Sequence, residues 1–423
     1  MAQAVLEKSS GSNWKRVVAW LLVVLDLFII GGVVFVWFKG IVPGTAGVPS
    51  LQLVQDVTLP GVAVAPQGHA PIAAVPFDRF DFQALDPQSG LLFITHPGPS
   101  ANKIPLAKKQ LPVGTQLKSN LIVFDTKKQA PVTTIAIPNV HGVAVVPGSG
   151  YVYAGDATDD LVYVIDSHTL RIITKIALDT RLCTALPCET PDAFTYDQVD
   201  HKLFITDQGS DKAYQDIGVI DTQTNRLIDK IALGTDQWGD AIGHTQYDPV
   251  TKRLFVAVQP QVNPKTPNAL PAPAQFVSID AASDRIVARL TLPNTHVCND
   301  PHGLVLDSAQ RVAFTACVVT NNILMLDLHN LSTIKVSNPF PVGLKPDILR
   351  IDSVAHTLYV ATTVGVSVFD EGNAGQGELS KISDYRVDAG SSHTIAVDEQ
   401  THDLYFPLIN VKGKPIMRIE RLS

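Results

Sequence analysis

The sequence has little charge and no excess of basic residues. Charged side chains make up 17% of the 423 residues, and the formal net charge at pH 7 is −7. Proteins that bind nucleic acid need a basic face, so the composition argues against nucleic acid as a partner. Tryptophan is also scarce, because Trp238 is the only one beyond residue 37. This scarcity disfavours a quinone cofactor stacked on a tryptophan ring.

Signature motifs of several enzyme classes are missing as well. The chain has no Gly-x-Gly-x-x-Gly, Walker loop, Gly-x-Ser-x-Gly or His-Glu-x-x-His. Those motifs bind nucleotides, present a nucleophilic serine or hold a catalytic zinc. The spacings Cys-x-x-Cys and Cys-x-x-Cys-His are absent too, which argues against redox and haem-attachment motifs.

The N-terminal segment predicts a membrane anchor. Residues 1–16 are polar with three basic side chains, and the 22-residue run from Val17 to Phe38 contains one charge, Asp26. As a helix this run spans about 33 Å, enough for the hydrocarbon core of a bilayer, and it is longer than the apolar region of a signal peptide. The positive-inside rule places residues 1–16 in the cytoplasm and the rest across the membrane, in the periplasm of a Gram-negative bacterium.

Residues 39–53 are typical of a flexible linker, and a repeat occupies the rest of the chain. One copy runs from His141-Gly-Val-Ala-Val through Tyr151-Val-Tyr-Ala-Gly to Leu161-Val-Tyr-Val-Ile-Asp. In six of seven copies, an Asp lies five residues after the position that opens the first strand. The seven opening positions are Asp81, His141, Asp192, Gly243, His302, Asp347 and His393.

Seven units of four short strands predict an all-β fold, a seven-bladed β-propeller of four-stranded blades over residues 54–423. The last unit supplies three strands, and the segment from Leu53 resembles a fourth. We therefore expect residues 54–60 to complete the last blade and close the ring, which protects strand edges. The aspartates that end the third strands, such as Asp166 and Asp221, are expected to form turns by accepting backbone N–H groups.

The units Tyr151-Val-Tyr-Ala-Gly…Val162-Tyr-Val-Ile-Asp-Ser and Leu203-Phe-Ile-Thr-Asp…Gly218-Val-Ile-Asp-Thr resemble the YVTN family of β-propeller repeats, as in YncE-like seven-bladed propellers. The resemblance covers nearly all of residues 54–423. It implies an extracytoplasmic or cell-surface protein. Related seven-bladed folds include lyases, lactonases and cofactor-dependent oxidoreductases, so the fold by itself does not select a function.

An even number of cysteines in an exported chain favours disulfide bonds. The four candidates are Cys183, Cys188, Cys298 and Cys317. Cys183 and Cys188 lie in one loop, whereas Cys298 and Cys317 flank an antiparallel hairpin and should come close to each other.

Loop lengths point to one face of the propeller. The loops before the first strand of a blade and between its second and third strands share that face. They include the lysine-bearing insertion 97–120, the Pro-rich segment 259–274 and the Cys183–Cys188 loop. Long loops in a compact fold tend to be functional. The lysines of the insertion either contact anionic lipid or a partner, or are simply solvated.

The same face carries the candidate ligand-binding residues, which converge on the mouth of the central channel. They are Asp81, His96, His141, Asp192, His244, His302, Asp347 and His393. Imidazole and carboxylate groups around one axis suit a divalent metal ion, with His141, His302 and His393 as expected ligands, or acid–base chemistry. The alternative is structural, with a hydrated ring of repeated residues that cap backbone N–H groups.

Three functional hypotheses follow. The first is a membrane-anchored extracytoplasmic propeller that binds a ligand or protein partner on the face with the long loops. The second is a metal-dependent hydrolase or lyase that uses His141, His302 and His393 with Asp192 or Asp347. The third is a structural assembly protein of the cell envelope.

Overall fold

The computed structural model describes residues 49–60, 63–64, 79–98, 116–117, 119–178, 190–208, 216–233, 242–259, 273–293, 296–387 and 393–423. The predicted cytoplasmic tail (1–16), membrane anchor (17–38) and most of the linker (39–53) lie outside these residues, as do Cys183, Cys188 and Trp238. Within the part that is described, no helix is long and apolar enough to cross a membrane.

Short strands joined by tight turns account for the fold. The first strand of the described residues is β1 (Leu51–Thr58), and the short strands β2 (Ala63–Val64) and β5 (Gln116–Leu117) pair with each other outside the blades. Seven antiparallel sheets then follow one another along the chain. The sequence-based prediction of an all-β, seven-bladed propeller with four-stranded blades is confirmed.

The first four blades each contain four strands, which follow one another from the channel outwards. Blade 1 contains β3 (Gln83–Asp86), β4 (Leu91–His96), β6 (Asn120–Asp125) and β7 (Ala130–Ile135). Blade 2 contains β8 (Val140–Val146), β9 (Tyr151–Asp156), β10 (Leu161–Asp166) and β11 (Arg171–Ala177). Blade 3 contains β12 (Thr190–Asp197), β13 (Lys202–Gln208), β14 (Asp216–Asp221) and β15 (Arg226–Ala232). Blade 4 contains β16 (Ile242–Asp248), β17 (Arg253–Val258), β18 (Gln275–Asp280) and β19 (Arg285–Thr291).

The remaining three blades depart slightly from this pattern. Blade 5 contains β20 (Pro301–Asp307), β21 (Val312–Cys317) and β22 (Asn322–Asp327), and its outer edge is divided between β23 (Lys335–Val336) and β24 (Phe340–Pro341). Blade 6 contains β25 (Leu349–Asp352), β26 (Thr357–Thr362), β27 (Gly365–Asp370) and β28 (Ser380–Arg386), and a short 3-10 helix (Ala374–Gln376) precedes β28. Blade 7 contains β29 (Ala396–Asp398), β30 (Asp403–Val411) and β31 (Lys414–Leu422), with β1 as its fourth strand.

β1 is the outermost strand of blade 7 and pairs antiparallel with β31. The sequence predicted residues 54–60 for this strand, whereas the strand begins three residues earlier and ends at Thr58. The side chain of Arg418 forms two hydrogen bonds of 2.8 Å to the carboxylate of Asp56 across this pair. The inner strands of consecutive blades contact one another around the whole ring, from β3 back to β29.

Burial follows from the position of each strand in its blade. The middle strand β10 is buried from Val162 to Ile165, because it faces a neighbouring blade on both sides, whereas the outer strand β11 exposes residues 171–175. Fully buried aromatic rings, including Phe93, Phe124 and Phe204, fill the space between blades. Burial of such a ring contributes about 2–3 kcal/mol to the stability of the packed blades.

Two further predictions concern bonds that hold the blades. Cys298 and Cys317 form a disulfide bond, which confirms that these two residues come together. Asp166 accepts backbone hydrogen bonds from His168 (3.0 Å) and Thr169 (2.7 Å), which confirms its role in a turn. Asp221 does the same with the N–H groups of residues 223 and 224.

Candidate ligand site at the channel mouth

β-Bulges place the residues that line the mouth of the channel. In four inner strands the register shifts where the strand reaches the mouth, and two residues on the inner strand lie within each shift. The pairs are His141-Gly142, Asp192-Ala193, Gly243-His244 and His302-Gly303. A bulge bends a strand and redirects a side chain, so these four strands bring His141, Asp192, His244 and His302 to the mouth of the channel. We call the seven opening positions of the repeat the ring positions, and the residues there the ring residues.

Glycine beside the ring histidines allows neighbouring inner strands to approach closely. A Cβ atom on Gly142 would overlap the carbonyl oxygen of Asp192, and one on Gly303 would overlap the carbonyl oxygen of Asp347. Blade 4 has the reverse order, with Gly243 at the ring position and His244 after it. His244 therefore lies one layer deeper in the channel than the ring residues.

Two carboxylates of the ring pair with histidines from neighbouring blades. Nδ1 of His141 lies 2.7 Å from Oδ2 of Asp81, and Nδ1 of His393 lies 2.7 Å from Oδ2 of Asp347. Nε2 of His393 also contacts the carbonyl oxygen of Phe80. Both ring nitrogens of His393 are thus engaged within the protein.

His244 lies at the floor of the mouth and is 3% exposed. Its ring centroid is 4.7 Å from that of His302 and 4.9 Å from that of Phe82. Among the described residues, Nε2 of His244 and Oδ1 of Asp347 have no hydrogen-bond partner, and they lie 3.9 Å apart. Two buried polar atoms therefore face each other across a gap that is too wide for a direct hydrogen bond.

His302 completes this group from blade 5. Its Nε2 lies 3.8 Å from Oδ1 of Asp347, and its Nδ1 lies 3.0 Å from the side-chain amide of Gln259. When that amide is turned so that its oxygen accepts from Nδ1–H, and Nε2 has lost its proton, the lone pair of Nε2 is free to bind a cation. A second residue that fixes the tautomer in this way is typical of histidines that bind metals.

Two overlapping groups of side chains have the spacing of a metal site. One comprises Asp192, His244 and His302, and the other comprises Asp81, His141 and Asp192. Within each group one possible ligand atom from every residue lies within 4.8 Å of the others. Imidazole and carboxylate ligands together suit divalent transition metals, so these residues fit such an ion chemically.

The three predicted metal ligands, His141, His302 and His393, do not come together in one group. His141 belongs to one group, His302 to the other, and His393 to neither. Asp192, which both groups share, and His244 were predicted as ligand-binding residues at the mouth rather than as metal ligands. The metal site itself stays a prediction.

Burial and the neighbouring charges set the protonation of the floor. Burial, assisted by the charge of His302, lowers the pKa of His244 to about 3, so this imidazole is neutral and keeps a lone pair. Burial and the charge of Asp81 raise the pKa of Asp192 to about 6. Burial opposes the ionisation of Asp347, but the charges of His302 and His393 outweigh it and lower the pKa of Asp347 to about 2.

The pKa shifts of His393 and Asp81 favour their charged forms. Burial acts to lower the pKa of His393, but the hydrogen bond to Asp347 and the charge of that carboxylate raise it to about 9. For Asp81, burial is outweighed by the hydrogen bond and charge of His141, and the pKa is well below its usual range. His393 and Asp347 therefore form an ion pair at neutral pH.

His96 lies apart from both groups. It is the last residue of β4 and is fully buried, with its ring 5.9 Å from that of Phe80. Burial lowers its pKa to about 3. Its place in the ligand-binding set stays a prediction.

Three residues at the mouth were not predicted from the sequence. Arg79 contacts Oδ2 of Asp81 at 3.1 Å, Phe82 packs on His244, and Gln259 contacts His302. Arg79 and Phe82 flank a ring aspartate in sequence, and Gln259 follows the last residue of β17. Proximity to ring positions was the available signal, but it does not reveal which neighbours point inwards.

The chain matches no protein-family model, and no curated protein is significantly similar to it in sequence. Solved structures resemble it in fold. A chain of the Kuenenia stuttgartiensis hydrazine synthase structure is 15% identical with a TM-score of 0.58, and the match covers 84% of this chain and 99% of that chain. The structure of U3-55K is 8% identical with a TM-score of 0.58, over 86% of this chain and 100% of that one.

A functionally unknown protein from Desulfotomaculum acetoxidans is also similar. It is 13% identical with a TM-score of 0.52, and the match covers 71% of this chain and 91% of that chain. Identities this low show the fold alone. The class of protein that the fold defines is the seven-bladed β-propeller.

Proposed function

We propose that this protein is a YVTN-type, YncE-like propeller that binds a ligand at the channel mouth through a divalent cation held by Asp192, His244 and His302. The observation that carries the proposal is Nε2 of His244, a buried nitrogen to which no described residue forms a hydrogen bond. A buried polar atom without a partner costs about 1–3 kcal/mol. A bound cation offsets that cost.

The charges around the floor support the same assignment. His244 is neutral at physiological pH and Asp347 is ionised, so the two atoms that face each other both offer a lone pair when the proton of His244 is on Nδ1. Three protein ligands leave positions open for water or an oxygen atom of a ligand. We propose that the open positions point to the mouth, where the long loops would contact the rest of the ligand or a protein partner.

A second candidate is a metal-dependent hydrolase or lyase, and the Asp81–His141 pair favours it. Nδ1 of His141 lies 2.7 Å from Oδ2 of Asp81 and 3.9 Å from Oδ1 of Asp192. An imidazole that is oriented by a carboxylate is a common general base. Under this hypothesis His141 would accept a proton from a water molecule beside the cation.

Cation titration of the full-length protein tests both candidates. After chelator treatment in mild detergent, calorimetry with Zn²⁺, Mn²⁺ and Ca²⁺ should show saturable binding of at least one ion. The double variant His244→Ala/His302→Ala should bind about 100-fold more weakly. The matched control His168→Ala/His329→Ala removes two exposed histidines elsewhere and should bind normally. Equal affinity in both double variants, or no binding by the wild type, would refute the cation site.

We also propose that residues 17–38 anchor the protein in the membrane, with residues 1–16 in the cytoplasm and the propeller on the other side. The apolar run and the flanking basic residues support this placement. Protease added to intact cells, with the outer membrane permeabilised where one exists, should digest the propeller. Digestion only after the cytoplasm is opened would contradict the topology. An envelope assembly role, the third hypothesis, would be supported by a stable complex that survives loss of the cation ligands.

A further inference from the structure

A chamber occupies the central channel on the side of the ring that leads to the turns between the first and second strands of the blades. Its volume is about 380 Å³, which is within the range of about 300–1,000 Å³ seen for small-molecule sites. Its lining comes from residues that follow the ring positions along the inner strands. The third position after the ring is alanine in three blades, as Ala84, Ala144 and Ala396, and these small side chains leave the space.

Phe82 and His244 directly follow the ring positions of blades 1 and 4, and His244 belongs to one of the cation groups. Their rings are 4.9 Å apart although they belong to blades 1 and 4, which are not neighbours. The two side chains therefore meet across the channel. Both are buried, with exposed fractions of 7% and 3%, and neither lines the chamber.

Arg350 occupies the equivalent third position in blade 6 and supplies a positive charge to the chamber wall. One Nη atom donates to the carbonyl oxygen of Leu349 (2.9 Å), and the other donates to that of Gln83 in blade 1 (3.2 Å). Its side chain thus reaches past blade 7, where Ala396 leaves room. In the described part of the chain, no carboxylate forms an ion pair with this guanidinium, and burial is the one influence that shifts its pKa, to about 10.

This arrangement leaves a charge and several donors without a counterpart in the wall. A guanidinium has five N–H donors, and the two hydrogen bonds of Arg350 both go to neutral carbonyl groups. Arg350 is partly exposed, and a cation that loses part of its hydration without gaining a counter-charge is destabilised. An anion in the chamber would offset this cost, and the fork geometry of arginine matches carboxylate and phosphate groups.

We propose that the chamber binds a small molecule that bears an oxyanion, and that Arg350 holds that oxyanion. Gln246 is a polar residue of the same wall and contacts the rest of the ligand. The site opens away from the ring, because its lining runs along the inner strands towards the aspartates that lie five residues after the ring positions. It is separate from the cation site and does not depend on the cation.

Anion titration of the full-length protein tests the proposal. Chelator-treated protein in mild detergent is titrated with inorganic phosphate and, in a second arm, with succinate, and binding is followed by calorimetry and by the thermal midpoint. We expect saturable binding in at least one arm, and the arm that saturates identifies phosphate or carboxylate chemistry. Arg350→Gln should weaken it by about 10- to 100-fold, because hydrogen bonds to charged groups contribute about 1.5–3 kcal/mol each.

Two further variants keep the test decisive. Ala84→Leu fills the chamber while Arg350 is retained, and it should lose binding even if Arg350→Gln fails to fold. Arg285→Gln removes an exposed arginine of β19 and should bind like the wild type. The variant His244→Ala/His302→Ala should also bind the anions normally, so failure of the cation site does not affect this result. Absence of saturable binding in both arms, or unchanged affinity in Ala84→Leu, would overturn the proposal.

Discussion

Aspartates lie at both ends of the inner strands, and the two sets have different roles. The turn aspartates, at the short-turn end, are Asp86, Asp197, Asp248, Asp307, Asp352 and Asp398. Each accepts a hydrogen bond from a backbone N–H group two or three residues further on. The ring aspartates, at the mouth, are Asp81, Asp192 and Asp347. Asp81 and Asp347 pair with histidines from neighbouring blades, and Asp192 belongs to both cation groups.

The difference shows how one residue type serves stability at one end and binding at the other. A turn aspartate accepts from backbone N–H groups of its own turn, and Asp352 also contacts His402 of blade 7, so these residues stabilise the fold. A ring aspartate faces groups that arrive from other blades, and it is left with capacity for a ligand. Substitutions at the two ends should therefore separate stability from binding.

The largest effect on stability is expected at Gly303, where the inner strands of blades 5 and 6 approach each other closely. Gly303→Ala places a Cβ against the carbonyl oxygen of Asp347, and overpacking against fixed backbone should destabilise the protein by about 3 kcal/mol or more. Cation binding should fail as well, because the ring residues of blades 5 and 6 move apart. Urea unfolding and calorimetry measure the two effects. Ala193→Gly, at the equivalent position of blade 3, is the control and should cost only about 0.5–1 kcal/mol. A fully stable Gly303→Ala protein would contradict the close approach.

Loss of a turn aspartate should affect stability alone. Asp352 is fully buried and accepts from the N–H groups of Val354 (3.2 Å) and Ala355 (2.9 Å) and from His402 (2.7 Å). Asp352→Ala leaves those donors unsatisfied and should cost about 2–4 kcal/mol. Its cation affinity should equal that of the wild type, measured at a temperature where both are folded. A matching loss of affinity would show that the two ends are not independent.

Substitution of Asp192, unlike that of Asp352, should change cation binding as well as the pH dependence of stability. In metal-free protein its folded-state pKa is raised from 3.8 to about 6, so the folded state holds this proton to higher pH than the unfolded state. Stability contributed by the protonated form is present below pH 4 and is lost as pH rises through 6, by on the order of 3 kcal/mol. Asp192→Asn should remove that loss and weaken cation binding. Unfolding curves of both proteins between pH 4 and 8 give the difference, and parallel curves would be inconsistent with a raised pKa.

The smallest effect is expected for the His393–Asp347 pair. The pKa of His393 is raised from 6.5 to about 9, so its contribution is complete below pH 6.5 and is lost as pH rises through 9. Because His393 is partly exposed, the contribution should be about 2 kcal/mol rather than the full value of the shift. His393→Gln should be less stable than the wild type at pH 6 and nearly equal to it at pH 10. A constant difference across this range would argue against an ion pair.

Regular spacing made most of the fold predictable. The Asp five residues after each ring position and the short apolar strands identified seven blades, and the hairpin between Cys298 and Cys317 indicated their disulfide bond. The start of β1 was misplaced by three residues, because its outer-strand sequence is mostly exposed and has weak periodicity. Ring membership followed from register alone, whereas the partners of each member did not.

Three residues show where sequence reasoning ended. His393 reads as a metal ligand in the repeat, but its nitrogens contact Asp347 and the carbonyl group of Phe80. His244 reads as displaced from the ring, but the bulge in β16 places it on the channel floor. Arg350 has no motif, and its significance depends on the alanines of other blades.

The sequence by itself determined the number of blades, the turns and the ring positions of the repeat, because these depend on spacing along one strand and on hydrogen bonds within one turn. Tertiary structure decided which histidine pairs with which carboxylate, which buried polar atoms have no hydrogen-bond partner among the described residues, and which side chains meet across the channel. Those features arise between blades, where bulges and glycine contacts set distances of a few ångströms that no single repeat encodes.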